Sequence, residues 1–206
     1  MINLKRTDII NLYIQKFNYK KYLEIGVHFG QNISKINCEL KHGVDVNKFT
    51  PLVTHHMTSD DFFKQNKEIY DIIFIDGHHD SEYVCRDLNN SIKCLNKNGI
   101  IILHDCLPPN KTYSLKLEEY KNTPNDGSWC GDGFKVIKSV VQNYNKDYNI
   151  FVVDTDAGVG VLQVASSNVP IIEYDDFYLW ENMINNPIKE INLISQQDFL
   201  DRLIYN

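Results

Sequence analysis

The chain has 206 residues, 43% of them hydrophobic and 23% charged, with a formal net charge of −6. That length and balance suit one soluble domain with a real core, and the acidic excess disfavours a nucleic-acid backbone as partner. Five cysteines without a CxxC pair, a start (MINLKRTDII) without an apolar signal region, and no run of membrane-spanning length predict free thiols and a cytoplasmic protein with no membrane span.

Residues 7 to 18 predict a helix capped by Thr7 or Asp8, with Ile10, Tyr13, Ile14 and Phe17 on one apolar stripe. Tyr22 to Gly30 (YLEIGVHFG) reads as a strand and its exit turn. Gly26 permits the sharp exit, and Gly30 allows backbone or ligand to approach closely. Gln31 to Leu40 then predicts a helix whose free N–H groups favour an anion. The G-x-G-x-x-G spacing of dinucleotide binding is absent, and the two glycines suit a plain strand-to-helix turn equally well.

Gly43 to Asn47 is a second strand carrying Asp45 near its end, about 20 residues after the first turn. That spacing suits a carboxylate accepting from ribose hydroxyls, although an isolated strand-end acid is commonly just solvated. Val53 to Met57 predicts a third strand, and Thr58 to Phe63 a helix start. There Ser59 and Asp60 have the position both to cap and to face a nucleobase.

Tyr70 to Asp105 is the most regular stretch. Ile72 to Ile75 is wholly apolar, as in a strand covered on both faces. Asp80 or Ser81 caps a helix with Val84, Leu88, Ile92 and Leu95 at helical spacing, Asn98-Gly99 stops it, and Ile100 to Leu103 is a second buried strand. This is a βαβ unit, and Asp76, Gly77, His78 and His79 leave one strand at the same edge where His104 and Asp105 leave the other. Open α/β sheets bind ligands at that edge.

Cys106 to Cys130, with Pro108-Pro109, Pro124 and Asp126-Gly127, predicts a long lid or acceptor loop holding a short helix near Lys116 to Tyr120. A helix carrying Phe134, Ile137, Val141 and Tyr144 follows. Strands over Ile150 to Val153 and Val159 to Val164 form a hairpin, so the sheet ends with one antiparallel strand. Residues 170–206 form a C-terminal helical tail, with Ser195-x-x-Asp198 capping its last helix. The aromatic stretch Tyr174 to Trp180 suits packing, or a surface for homo-oligomer formation. The fold expected is α/β, a Rossmann-like doubly wound sheet with helices on both faces, forming one domain over residues 1–206.

In order, YLEIGVHFG, MTSDDFF, FIDGHHDSEYVCRDL, GIIILHDCLPP, WCGDGFK and DTDAGVGVL resemble the class I S-adenosylmethionine (SAM) dependent methyltransferases, in a branch found beside glycan and capsule assembly genes. His28 stands where many class I enzymes carry glycine. The resemblance implies that Glu24, Gly26, His28 and Gly30 frame the amino-acid end of SAM, and that Asp45 holds the ribose. It places Ser59 and Asp60 by the adenine, and Asp76 with Gly77 beside the sulfonium. The activity it implies is O-methylation of a sugar or sugar nucleotide. A non-catalytic nucleotide-binding module of the same fold, and an N- or RNA methyltransferase, are the alternatives.

A sugar hydroxyl must lose its proton, which a neutral imidazole can take. His79, three residues after Asp76, is the candidate base, with His104 and Asp105 completing the catalytic set. Related sugar O-methyltransferases that bind magnesium place an Asp-x-x-His pair and a later acidic pair at these strand ends. Here His104 replaces one acid, so a Mg2+ or other divalent cation would rest on Asp76 and Asp105. His78 reads as a turn residue, and His55 and His56 as strand-end residues.

Overall fold

The structure, a computed structural model, describes residues 2–165 and 169–205; Met1, residues 166–168 and Asn206, the end of the predicted tail, lie outside the described residues. The strands are β1 (Lys21–Ile25), β2 (Leu40–Asp45), β3 (His55–His56), β4 (Tyr70–Ile75), β5 (Leu95–Leu103), β6 (Tyr148–Val153), β7 (Val159–Val164) and β8 (Leu193–Ile194). They pair into an 8-stranded sheet in the order β3-β2-β1-β4-β5-β7-β6-β8. Among the described strands only β7 runs antiparallel to its neighbours, β5 and β6; it lies inside the sheet, whose edges are β3 and β8.

Alternation along the strands sends side chains to two cores. Ile73 and Ile75 join Leu23, Leu88, Ile137 and Val140 under helices α3 (Ser81–Lys93) and α5 (Phe134–Asn143). Ile72 and Phe74 join Tyr22, Ile9, Ile10 and Phe199 on the other face, under α1 (Arg6–Phe17) and α8 (Gln196–Tyr205). The remaining helices are α2 (Ser59–Gln65), α4 (Leu117–Lys121), α6 (Trp180–Asn185) and α7 (Pro187–Ile191). The sheet, its single reversed strand and its helix-covered faces match the Rossmann-like α/β architecture expected from the sequence. Among the described residues, no helix is long and apolar enough to cross a membrane.

Four local expectations are corrected. The helix expected over residues 31–40 is only a 3-10 turn, Ile33–Lys35. Polar side chains take its backbone groups instead: Lys41 Nζ donates to the carbonyls of Ile33 and Ile36 at 3.0 and 3.1 Å, and Asn11 bonds Lys35 O and Asn37 N. The cap of α1 is Lys5, whose N–H donates to Asp8, while Thr7 donates to Asn32. The cap of α2 is Thr58, which accepts from Asp61 N at 3.1 Å. The helix α3 stops at Lys93, and Asn98-Gly99 instead lies within β5. A Cβ at Gly99 would lie 2.7 Å from Asp71 O, so close strand approach, not a helix stop, demands this glycine.

The aromatic stretch mostly packs: Tyr178 hydroxyl bonds Glu190, and Trp180 Nε1 donates to Pro108 O, which anchors the start of the 106–130 loop. Ser195 and Asp198 exchange the expected capping bonds ahead of α8. All five cysteines are free.

Candidate functional site

Strand register builds the site. Ile25 pairs with Val44 on one side and Ile75 on the other, and Ile75 pairs with Leu103. The residues that follow these partners therefore emerge on one rim: Gly26, Asp45, Asp76 and His104. Ladder bonds run up to that rim, Gly26 N to Val44 O, Asp76 N to Ile25 O and His104 N to Ile75 O. At Gly26 the backbone has φ 86°, and a Cβ would sit 2.0 Å from Asp76 O, so no other residue lets the two strand exits pass.

A cavity of about 820 Å³ opens at this rim, between β1, β2 and β4, where the strand order reverses. Of the sequence-predicted site residues, Glu24, Gly26, His28, Asp45, Ser59, Asp60, Asp76, Gly77 and His79 line it. Gly30 lies off its wall, with Leu52 and Thr50 over its Cα. His104 and Asp105 sit behind Asp76 and His79 and meet the cavity only through them.

Each acid has its own environment. Glu24, 1% exposed, accepts from the Tyr22 hydroxyl and from Asn32 Nδ2. Burial pushes its carboxyl up to about 7, against the pull of those hydrogen bonds. Asp45 Oδ2 accepts from the N–H groups of Val27 and His28 at 3.0 and 2.8 Å, and Oδ1 from Asn47 N at 2.7 Å. These bonds tie the carboxylate across the turn after β1 and fix its direction. His28 turns with φ 50° to present its N–H, and its ring packs against the exposed rings of Phe29 and Phe49. Because Thr58 caps α2, Asp60 is free to pair with Arg86 at 3.1 Å.

At the other end, two imidazoles lie among carboxylates. His79 Nδ1 stands 3.1 Å from Asp105 Oδ2 and 3.1 Å from Trp129 O, so this nitrogen carries the proton and donates. His79 Nε2 lies 3.5 Å from Asp76 Oδ1, and its ring stacks on Trp129 with centroids 4.9 Å apart. Burial opposes a charge on His79, yet Asp76 and Asp105 outweigh it and raise its pKa above the ordinary imidazole value. For Asp76, burial likewise opposes ionisation, but His104 and His79 hold its carboxyl far below the usual range.

His104 is fully engaged: Nδ1 is 3.2 Å from both Asp76 and Asp105, and Nε2 is 2.6 Å from Arg6 Nη1. Burial opposes a charge on His104, but Asp76 and Asp105 outweigh it and push the pKa up to about 10. Arg6 donates to Nε2 only in the neutral ring, with its proton on Nδ1. Asp105 holds this position with φ 56°, a backbone that costs a non-glycine residue roughly 1–3 kcal/mol. His78 also lines the cavity, with its Nε2 paired to Asp80, which accepts in addition from Leu117 N in the 106–130 loop.

Three lining residues have no local sequence signal of a site. Arg6 comes from the start of α1 and is held by Asp156 in the β6–β7 turn, so only the fold brings it near His104. Trp129 closes the cavity from the long loop and is anchored by Nε1 to Leu115 O. Asp87 offers one clue, an acid set beside the apolar stripe of α3.

Residues 27–106 match a family model described as a methyltransferase domain. No curated protein sequence matches the chain significantly. A structure assigned as a caffeoyl-CoA O-methyltransferase from Staphylococcus aureus is similar at TM-score 0.58 and 14% identity, over 80% of this chain and 85% of that one. A Podospora anserina methyltransferase bound to S-adenosylhomocysteine (SAH) is similar at TM-score 0.58 and 13% identity, over 81% of this chain and 80% of that one. An O-methyltransferase of tomaymycin synthesis from Streptomyces achromogenes, in complex with SAM, is similar at TM-score 0.55 and 10% identity, over 81% of this chain and 82% of that one. At such identities the likeness establishes the fold.

Proposed function

We propose that this chain, residues 27–106 of which match a methyltransferase domain, is a SAM-dependent methyltransferase that O-methylates a small hydroxylated acceptor, a sugar or sugar nucleotide of glycan assembly. The observation that carries the reading is the single cavity that collects Glu24, Asp45, Ser59, Asp60 and Asp76 along one rim and ends at His79. In this reading residues 1–206 are one catalytic domain, with 106–130 as the acceptor lid. Glu24 and the Gly26 turn receive the amino-acid end of SAM, Asp45 the ribose, Ser59 and Asp60 the base, and the Asp76-Gly77 exit the sulfonium.

Methyl transfer from a sulfonium is an in-line displacement, so the chain contributes mainly position and a proton acceptor. Asp105 fixes Nδ1–H of His79, which leaves Nε2 to take the acceptor hydroxyl proton as oxygen attacks the methyl carbon and SAH departs. The imidazolium so formed is stabilised by Asp76 and Asp105. His104 and Arg6 act as positioning residues that hold those carboxylates.

A second reading is favoured by one observation: Asp76, His79 and Asp105 offer ligand atoms within 4.8 Å of one another. Two carboxylates and an imidazole fit a divalent cation, and these residues would hold it. Its chemistry there would be to acidify the acceptor hydroxyl.

The test is transfer of labelled methyl from SAM to a panel of sugar nucleotides, with and without chelator. The first reading expects chelator-resistant transfer, the second expects loss with EDTA and recovery with Mg2+ or Mn2+. Failure of the protein to bind SAH at millimolar concentration would sink both.

A further inference from the structure

The far end of the cavity, lined by Thr58, Ser59 and Asp60, receives one more acid, Asp87 from α3. It is 3% exposed, and its Oδ1 has no hydrogen-bond partner among the described residues. Gly77 lies beside the carboxylate: a Cβ there would stand 3.8 Å from Asp87 Oδ2, at ordinary contact distance. The two carboxylates at this end are not equivalent. Asp60 is ion-paired with Arg86 at 3.1 Å and is one-third exposed, whereas Asp87 has the Ser59 hydroxyl and, among the described residues, no cation within ion-pair distance. Burial pushes the Asp87 carboxyl up to about 6, with Ser59 pulling the other way, so near neutral pH it is an acceptor.

A buried acceptor without a donor carries a desolvation cost that a ligand N–H relieves. Of the SAM functional groups, the base end offers one such donor, the exocyclic amine. We propose that Asp87 is the base-selecting residue of this site, accepting from the 6-amino group of the purine and rejecting a 6-oxo purine. The proposal rests on the SAM reading above. A 6-oxo base turns a carbonyl oxygen toward the carboxylate, leaving both acceptors unpaired, and such mismatches discriminate far more strongly than missing apolar contacts.

The test is calorimetric titration of wild type, Asp87→Asn and Asp87→Leu with SAH and with S-inosylhomocysteine, melting temperatures confirming that the variants fold. Wild type is expected to prefer SAH by more than about tenfold, and both variants to lose at least about tenfold of that preference, chiefly through weaker SAH binding. A wild-type ratio near one overturns the proposal without need of any variant. So does an unchanged ratio in the folded variants, with SAH binding and hence the cofactor reading left intact. If wild type binds neither nucleoside, the cofactor reading falls and takes the role of Asp87 with it.

Discussion

At His79 two carboxylates compete with burial for one proton, and the carboxylates win. In the proposed mechanism this imidazole is a stronger base than a free one but stays protonated further into the neutral range. Turnover should rise with pH through an apparent pKa above 6.5, and that limb should vanish in His79→Gln. The same variant should lose about 10²–10⁴-fold in kcat while SAH affinity, read by calorimetry, stays within about twofold. Full turnover in the variant would remove His79 from the mechanism. Glu24 titrates in the opposite sense to a salt-bridged acid. Burial raises it from 4.5 to about 7, so the folded protein is free of its ionisation cost below 4.5 and bears all of it above about 7. Replacing it by glutamine should shift the stability difference toward the variant by up to roughly 3 kcal/mol between pH 5 and pH 8, at 1.36 kcal/mol per pKa unit. Denaturant melts at both pH values measure that shift; a pH-independent difference would contradict the buried-acid account.

Elements matter here through where they start. Thr58 caps α2, which releases Ser59 and Asp60 to the cavity; a cap by either would have turned it inward to its own backbone. Thr58→Ala should cost about 1 kcal/mol of stability by thermal melting and also weaken SAH binding, because the first turn that carries those side chains frays. A stability loss with unchanged affinity would show that the base end does not depend on this helix start. The turn after β1 follows the same logic without a helix. Asp45 gathers the N–H groups of Val27 and His28, so the neighbouring strand orders this turn in place of the expected helix start.

For the molecule as a whole, the strand order reverses beside β1, and the cavity sits at that reversal. A ligand filling it touches β1, β2, the exit from β4, α3 and the 106–130 loop at once, so occupancy should stabilise the entire chain and not one segment. SAH at a hundred times its Kd should add about 2.7 kcal/mol to unfolding free energy, read as a rise in melting temperature. The long loop is tied to the same body: Cys106 and Leu107 donate to the carbonyls of Gly158 and Ala157, and Leu117 N to Asp80. Its closure over His79 is thus a property of the folded loop, with Trp129 as the lining residue that reports it. Tryptophan fluorescence should change on SAH addition, and Trp129→Phe should abolish the change while Trp180 remains.

Sequence alone determined the alternating frame and its chemistry-bearing edge. Apolar runs at Ile72 to Ile75 and Ile100 to Leu103 leave few arrangements but a covered parallel sheet, and strand-end acids then share a rim because parallel strands all exit the same way. Composition and local propensity do not say which side chains take up a backbone group, so the helix after β1, the cap of α2 and the stop of α3 were decided by Lys41, Thr58 and the packing of β5 on β4. Nor does any local pattern bring Arg6, Trp129 and Asp87 to one cavity. They come from an N-terminal helix, a loop and a mid-helix position, and their meeting depends on contacts distant in sequence, whose geometry exists only once the sheet has closed its order.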